Sequence, residues 1–458
     1  MIRGRLSRIA PRLHARQMGP DAEFEGLTSD SRRVSAGQLF VALRGTRFDG
    51  HEYVRSAARD GASAALVERY IDRGPGQLVV ADSRRGLGDL ARLWRERFEI
   101  PLVGVTGSNG KTTVKEMLAA ILRQRGPVLA TEGNRNNDIG LPLTLCRLEA
   151  RHAAAVLEMG ANHAGEIAYL AGVARPGVGV VTNAGAAHLE GFGSREGVAR
   201  AKGELFQALP AEGCAVINAD DRYAGLWREL ASGCRRLSFG LDRAADVRAV
   251  SIEAAPAAGG VPGTRFELCL AGARVTVALP LPGAHNVMNA LAAAAAAVAV
   301  GVDAERIRRG LQQVRPAAGR LQVVAGRRGA RLLDDTYNAN PNSLRAGLEV
   351  LAGLGGRRWL VLGDMGELGA GAAALHREAG AQARAAGVER LYALGGLARE
   401  TCAGFGGGAR HFDTLESLVE AVAEELAPEV SVLVKGSRAM HMERVVQALR
   451  AGPPGGTD

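Results

Sequence analysis

Two rhythms of apolar and polar residues alternate along most of this chain. Short unbroken apolar blocks, such as Pro101 to Thr106, read as buried strands. They are followed by stretches with apolar residues at helical spacing: after Thr113 these fall at Val114, Met117, Leu118, Ile121 and Leu122. That pattern predicts a helix from Thr113 to Arg125, stopped by Gly126-Pro127. Further strand blocks lie at Ala153 to Leu157, Val178 to Thr182 and Ala215 to Asn218. The alternation predicts a parallel sheet covered by helices over residues 84–314. The alanine-rich stretch near 287–300 is short and made of small residues, so it reads as a packed helix.

The same rhythm returns over 315–458, with strands at Arg331 to Asp334, Trp359 to Leu362, Leu391 to Leu394 and Val432 to Val434. It predicts a second doubly wound domain whose strand-end loops are open to ligands. Residues 1–83 carry shorter strand blocks, Leu39 to Leu43, Ala64 to Val67 and Leu78 to Val80, among Gly and Asp turns. They read as a small α/β unit. The expected architecture is α/β in three domains.

Composition narrows the functional classes. A chain of 458 residues with 47% hydrophobic and 23% charged positions is of ordinary globular type. The arginine-studded Met1 to Gly19 has no apolar signal block, so a cytoplasmic location and no membrane insertion are expected. Five dispersed cysteines without a CxxC pair argue against disulfides and structural zinc. The net charge of +9 is spread among interleaved acids and aromatics are only 4%, so anionic small molecules suit this surface better than nucleic acid. Only four of the 57 basic residues are lysines: Lys111, Lys115, Lys202 and Lys435. A lysine retained in so arginine-rich a chain is a candidate for chemistry that needs a compact ammonium or a neutral amine.

The strand ending at Thr106 runs into Gly107-Ser108-Asn109-Gly110-Lys111-Thr112-Thr113. Glycines let backbone N–H groups turn toward phosphate, and the following helix adds its positive end. Lys111 would meet the β- and γ-phosphates, and the Thr112 hydroxyl would ligate Mg²⁺. Val105 stands where the general phosphate-loop pattern has its first glycine, so this is a short variant. Glu158, at the end of a neighbouring strand, is a candidate Mg²⁺ carboxylate. His188 follows the next strand and is more weakly marked. Lys115, one turn beyond Lys111, is left open between extending the phosphate field and pairing with a nearby acid.

The loop Gly107 to Thr113 resembles the ATP loop of the Mur ligases and the related folylpolyglutamate synthases, three-domain ATP-dependent amide-forming enzymes. The resemblance extends over nearly the whole chain. It is closest to the branch that adds D-alanyl-D-alanine, because of Asp334-Asp335-Thr-Tyr337-Asn338-Ala-Asn340-Pro341, Leu362 to Leu368 with His376, and Lys435-Gly-Ser-Arg438. It implies Glu158 and His188 around Mg²⁺, and Lys202 carbamylated to hold a second Mg²⁺. It implies Asn286 and Asn289 at the adenine and Arg320 on the γ-phosphate. Asp335 suits the ribose of ATP.

For the other substrates it implies Ser31 and Arg32 toward a uridine nucleotide, and Asn134 and Asn137 in the loop receiving the nucleotide-peptide. Asn338 and Asn340 are candidates for an incoming dipeptide, and Lys435 and Arg438 for its carboxylate or a phosphate. The implied reaction joins D-Ala-D-Ala to UDP-N-acetylmuramoyl-tripeptide through an acyl phosphate, with ATP and Mg²⁺, in cell-wall precursor synthesis. Turn chemistry alone also accounts for Ser31 and Arg32. The competing readings are another amide ligase of the same kind and, in a different class, a phosphate-loop NTPase without ligase activity. A monomer without nucleic-acid partners is the expected working form.

Overall fold

The computed structural model describes residues 1–185, 189–256 and 262–452. The predicted alternation is realised in three sheets. The first is five-stranded, in the order Arg16–Met18, Gly76–Val79, Ala64–Val67, Leu39–Val41, Leu27–Thr28. Its strands run parallel except Arg16–Met18 at one edge.

The second sheet has nine strands. Leu102–Thr106 lies between Ala154–Glu158 and Val178–Val181, parallel to both. The strand that follows it in sequence, Val128–Ala130, lies at the far edge beyond Ala154–Glu158. The direction of winding therefore reverses beside the end of Leu102–Thr106, where open α/β sheets form their ligand crevice. Cys214–Asn218 and Arg235–Gly240 continue the sheet on the other side. An antiparallel extension closes that edge: Val247–Pro256, Pro262–Leu270 and Ala273–Leu279. The apolar rhythm did not announce it, because its first strand, Val247–Pro256, is mostly exposed and shows no sustained alternation of buried positions.

Helix Lys111–Leu122 and the alanine-rich helix Ala284–Ala299 bury their apolar faces together under this sheet. Alanine at so many facing positions lets the helix backbone approach closely. The helix predicted from Thr113 begins two residues earlier, at Lys111, because the loop glycine Gly110 serves as its N-cap.

The first and second sheets share one apolar core. Helix Ser83–Arg95, capped by Asp82, inserts Leu87, Leu90 and Trp94 between Leu66 and Leu78 on one side and Leu141, Leu157 and Leu170 on the other. The third sheet has its own two cores, drawn only from Leu321 onward. Its order is Gln322–Ala325, Arg331–Asp335, Val430–Lys435, Arg357–Gly363, Arg390–Leu394, Ala409–Phe412, with only the first antiparallel. The chain's last strand thus sits in the middle, and Lys435 stands in register with Asp335. His376 is fully buried; its Nε2 accepts the Met365 N–H at 2.9 Å, a structural tie beneath that sheet. Among the described residues no helix is long and apolar enough to cross a membrane.

Candidate active site

A cleft of about 1260 Å³ opens where the second and third sheets face each other. Its wall includes Ser108 to Lys111, Glu158, Asn286, Asn289, Arg320 and Lys435. At its base the buried strand Leu102–Thr106 delivers the loop. Gly107 has φ 142°, and a Cβ there would fall 1.9 Å from Thr182 Oγ1. Gly110 has φ 81°, and its Cβ would fall 2.3 Å from Asn289 Oδ1. Only glycine meets both demands at these two positions. Helix Lys111–Leu122 starts without a side-chain cap, so its first N–H groups remain for an anion at the loop.

Lys111 Nζ donates to the carbonyls of Gly107 and Ser108 at 2.7 and 3.2 Å. Burial pulls its pKa below the usual lysine value; Glu158 opposes that shift and Arg320 adds to it. Thr112 Oγ1 donates to Glu158 Oε2 at 2.8 Å and accepts from Arg320 Nη2 at 3.0 Å. The other Glu158 oxygen accepts from Asn136 Nδ2 at 2.8 Å. Glu158 itself is 2% exposed. Thr113, next in the helix, lines the cleft.

The loop is held from behind by residues that the sequence did not single out. The Asn109 N–H donates to Asn183 Oδ1 at 3.0 Å, and its carbonyl accepts from Thr182 Oγ1 at 2.6 Å. The Gly185 N–H donates to Ser108 Oγ at 2.9 Å. The available signal was position: Thr182 and Asn183 end the strand beside the loop, facing the crevice. His188 lies outside the described residues.

Three of the four lysines are among the most buried side chains of the protein, an unusual place for lysine. Lys202, on helix Arg195–Gln207, is 1% exposed; its Nζ lies 3.5 Å from the carbonyl of Ala161, a cleft residue, and 5.3 Å from the Phe192 ring centroid. Burial brings its pKa down to about 7, with Lys111 adding to the effect and Glu166 and Glu204 opposing it. Lys115 resolves the choice left open above. It is ion-paired with Glu116 and donates to the Thr131 carbonyl at 2.8 Å, away from the phosphate loop.

Asn286 and Asn289 both face the cleft. Asn286 Nδ2 donates to the Pro282 carbonyl, and its Oδ1 accepts from Asn289. Asn286 is not a helix cap; that position is Gly283. The buried Lys435 is ion-paired with Asp335 and donates to the Asn338 carbonyl at 3.0 Å, so its charge is already matched. Burial raises the Asp335 carboxyl pKa, while Lys435 and Arg320 oppose the rise.

Asn134, Asn137 and Asn338 line the cleft. Asn137 Oδ1 also caps the start of helix Gly140–Leu145 by accepting the Gly140 N–H at 2.8 Å. Asn340 is committed to the protein. Its Oδ1 accepts the Ser343 N–H as a helix N-cap, and its Nδ2 donates to Asn109 Oδ1 at 2.7 Å. Three of the expected residues, Arg438, Ser31 and Arg32, are not on the cleft wall with these. Arg438 is mostly exposed and lies 3.3 Å from Glu443. Ser31 and Arg32 form a short turn in the first sheet's unit, with Arg32 folded back onto Asp30 at 2.9 Å. Each of the two arginines pairs with an acid close to it in sequence; Ser31 and Arg32 stay in the first unit, where the nucleotide end of the substrate was expected.

A glycine loop between strand and uncapped helix, a lysine in the loop, a buried carboxylate on the neighbouring strand and an arginine from the third unit define a phosphate-loop nucleotide enzyme. Sequence comparison places the Mur ligase family catalytic domain over residues 23–88, the Mur ligase middle domain over 105–297, and the Mur ligase glutamate ligase domain over 319–438. The chain is 43% identical over 453 residues to the UDP-N-acetylmuramoyl-tripeptide–D-alanyl-D-alanine ligase of Escherichia coli, covering 98% of this chain and 99% of that protein. It superposes on MurF from Acinetobacter baumannii with a TM-score of 0.92 at 36% identity over 98% of each chain. MurF ligase from Thermotoga maritima, solved in complex with ADP, matches at a TM-score of 0.83 and 31% identity, over 93% of this chain and 96% of that one. The chain belongs to the Mur ligase family. It is an ATP-dependent, ADP-forming ligase.

Proposed function

We propose that this enzyme joins D-alanyl-D-alanine to UDP-N-acetylmuramoyl-tripeptide in peptidoglycan precursor synthesis. The observation that carries the reading is the meeting of Lys111, Thr112, Glu158 and Arg320 in one cleft, with the Asp335 to Pro341 loop as its opposite wall. The relatives named above, matched end to end, support the choice of substrates.

The tripeptide carboxylate attacks the γ-phosphorus of ATP, ADP leaves, and an acyl phosphate forms. The dipeptide amine then attacks the acyl carbon, loses its proton, and phosphate leaves. Lys111 and Arg320 neutralise charge on the transferring phosphoryl group, and the loop N–H groups hold the phosphates. Asn286 and Asn289 offer amide groups for the adenine edge, and Asp335, on the cleft wall, offers a carboxyl group for the ribose hydroxyls. Contacts from the third unit to Thr112 and Asn109 close the cleft over the loop and keep water from the acyl phosphate.

Glu158 and Thr112 present hard oxygen donors that fit Mg²⁺. When bound, Mg²⁺ supplies charge neutralisation and orientation of phosphate oxygens. Lys202 fits a carbamate role: a buried amine with a pKa near 7 is largely neutral at physiological pH and able to take up CO₂. A monomer acting in the cytoplasm completes the reading.

The test is phosphate release measured with each component omitted in turn. Release requiring ATP, Mg²⁺, the UDP-linked tripeptide and D-Ala-D-Ala together supports the assignment. ATP hydrolysis indifferent to the two acceptors overturns it in favour of a plain NTPase.

A further inference from the structure

We infer that Asn340 is a positioning residue that couples docking of the third domain to the conformation of the phosphate loop. The inference rests on the ligase reading above and deepens it. Asn340 starts helix Pro341–Ala352 with a complete capping box: its Oδ1 accepts the Ser343 N–H at 2.9 Å, and Ser343 Oγ accepts the Asn340 N–H at 3.0 Å. The first bond holds the Asn340 side chain and the second its backbone. Its amide nitrogen then reaches across the cleft to Asn109 Oδ1 at 2.7 Å.

The far end of this bond is equally rigid. The Asn109 backbone is clamped through both its N–H and its carbonyl by Thr182 and Asn183. The near end is anchored inside the third domain, where Lys435 holds the Asn338 carbonyl and pairs with Asp335. A continuous path therefore runs from Lys435, through the loop Asn338 to Asn340, to the tip of the phosphate loop. A group occupying the cleft beside Asn338 acts on the same short segment that touches Asn109. In this arrangement the phosphate loop is braced for transfer only when the third domain is docked. That timing limits loss of the acyl phosphate to water.

Two substitutions separate bracing from capping. Asn340→Ser keeps an N-cap oxygen but is too short to reach Asn109. Asn340→Asp also caps, and Asn109 can turn its amide to donate to the new carboxylate. For Asn340→Ser we expect kcat for ligation to fall about 3- to 10-fold, the size of one lost hydrogen bond, with KM for ATP within twofold and an unchanged melting temperature. Asn340→Asp is expected to recover most of kcat. Unchanged kcat in Asn340→Ser, a rise confined to KM for ATP, or no recovery in Asn340→Asp would each overturn the coupling role. Wild-type enzyme inactive with D-Ala-D-Ala would instead strike the ligase reading itself.

Discussion

Arg320 Nη2 stands 3.0 Å from Thr112 Oγ1, joining the start of the third unit to the first turn of the phosphate-binding helix. The guanidinium also lies over the Tyr337 ring, 4.2 Å from its centroid. Aromatic support on one face and a hydroxyl ahead hold the fork at the phosphate loop, the placement that the proposed γ-phosphate role needs. Arg320→Lys keeps the charge but loses both the planar stacking and the two-pronged geometry. It is expected to lower kcat by about 10²-fold with ADP affinity little changed, as read by steady-state kinetics and calorimetry.

Lys111 is the second cation of the site. Among the described residues its amine bonds to carbonyls of its own loop, so it ties the loop to itself rather than to the rest of the fold. Lys111→Ala is expected to cut kcat/KM by about 10²- to 10³-fold while the melting temperature holds. An equal loss of stability and activity would instead make the lysine a structural element.

Glu158→Gln removes the charge and keeps an acceptor for only one of Thr112 and Asn136, which donate to separate carboxylate oxygens. The Mg²⁺ concentration giving half-maximal rate is expected to rise about tenfold or more. An unmoved Mg²⁺ titration would place the ion elsewhere.

Lys202 offers a test by pH. Its folded pKa of about 7 lies below the ordinary 10.5. Between those values the unfolded chain binds the extra proton, so stability of the unmodified protein rises with pH across that window, by up to about 1.4 kcal/mol per unit. The gain is absent below pH 7, where both states are protonated. Thermal unfolding in CO₂-free buffer should show the rise in wild type and not in Lys202→Met. Lys202→Arg, which cannot form a carbamate, should fold and fail to ligate. In wild type, a carbonyl signal from ¹³C-bicarbonate should appear as pH passes 7 upward.

Lys115 serves the fold. Removing it leaves the buried Thr131 carbonyl without its donor. Lys115→Ala should therefore destabilise the protein by about 2 kcal/mol, with the ion pair to half-exposed Glu116 adding little. Denaturant unfolding checks this, and near-normal KM for ATP is expected in the fraction that folds.

The sequence made Gly107 to Thr113 readable because a single local pattern, strand then glycines then lysine then helix, carries the chemistry. Glu158 was readable for the same reason, as an acid ending an apolar strand. The Asn340–Asn109 bond was not, because the partners lie 231 residues apart and each also has a sufficient local explanation. Asn340 accordingly read as a dipeptide candidate from its motif alone, and its bond to the phosphate loop came only with the structure. The antiparallel extension from Val247 escaped because an exposed edge ribbon needs no apolar alternation. The burial of Lys202 and Lys435 was visible only as scarcity of lysine in an arginine-rich chain.

The apolar core common to the first two sheets has a consequence for how the molecule comes apart. Ser83–Arg95 cannot leave one sheet without stripping the other, so residues up to about 314 should melt as one cooperative block. The third sheet is tied to that block at the cleft through polar side chains such as Arg320 and Asn340 and keeps its own oil inside. Heating should therefore give two calorimetric transitions, and nucleotide analogues that span the cleft should draw them together.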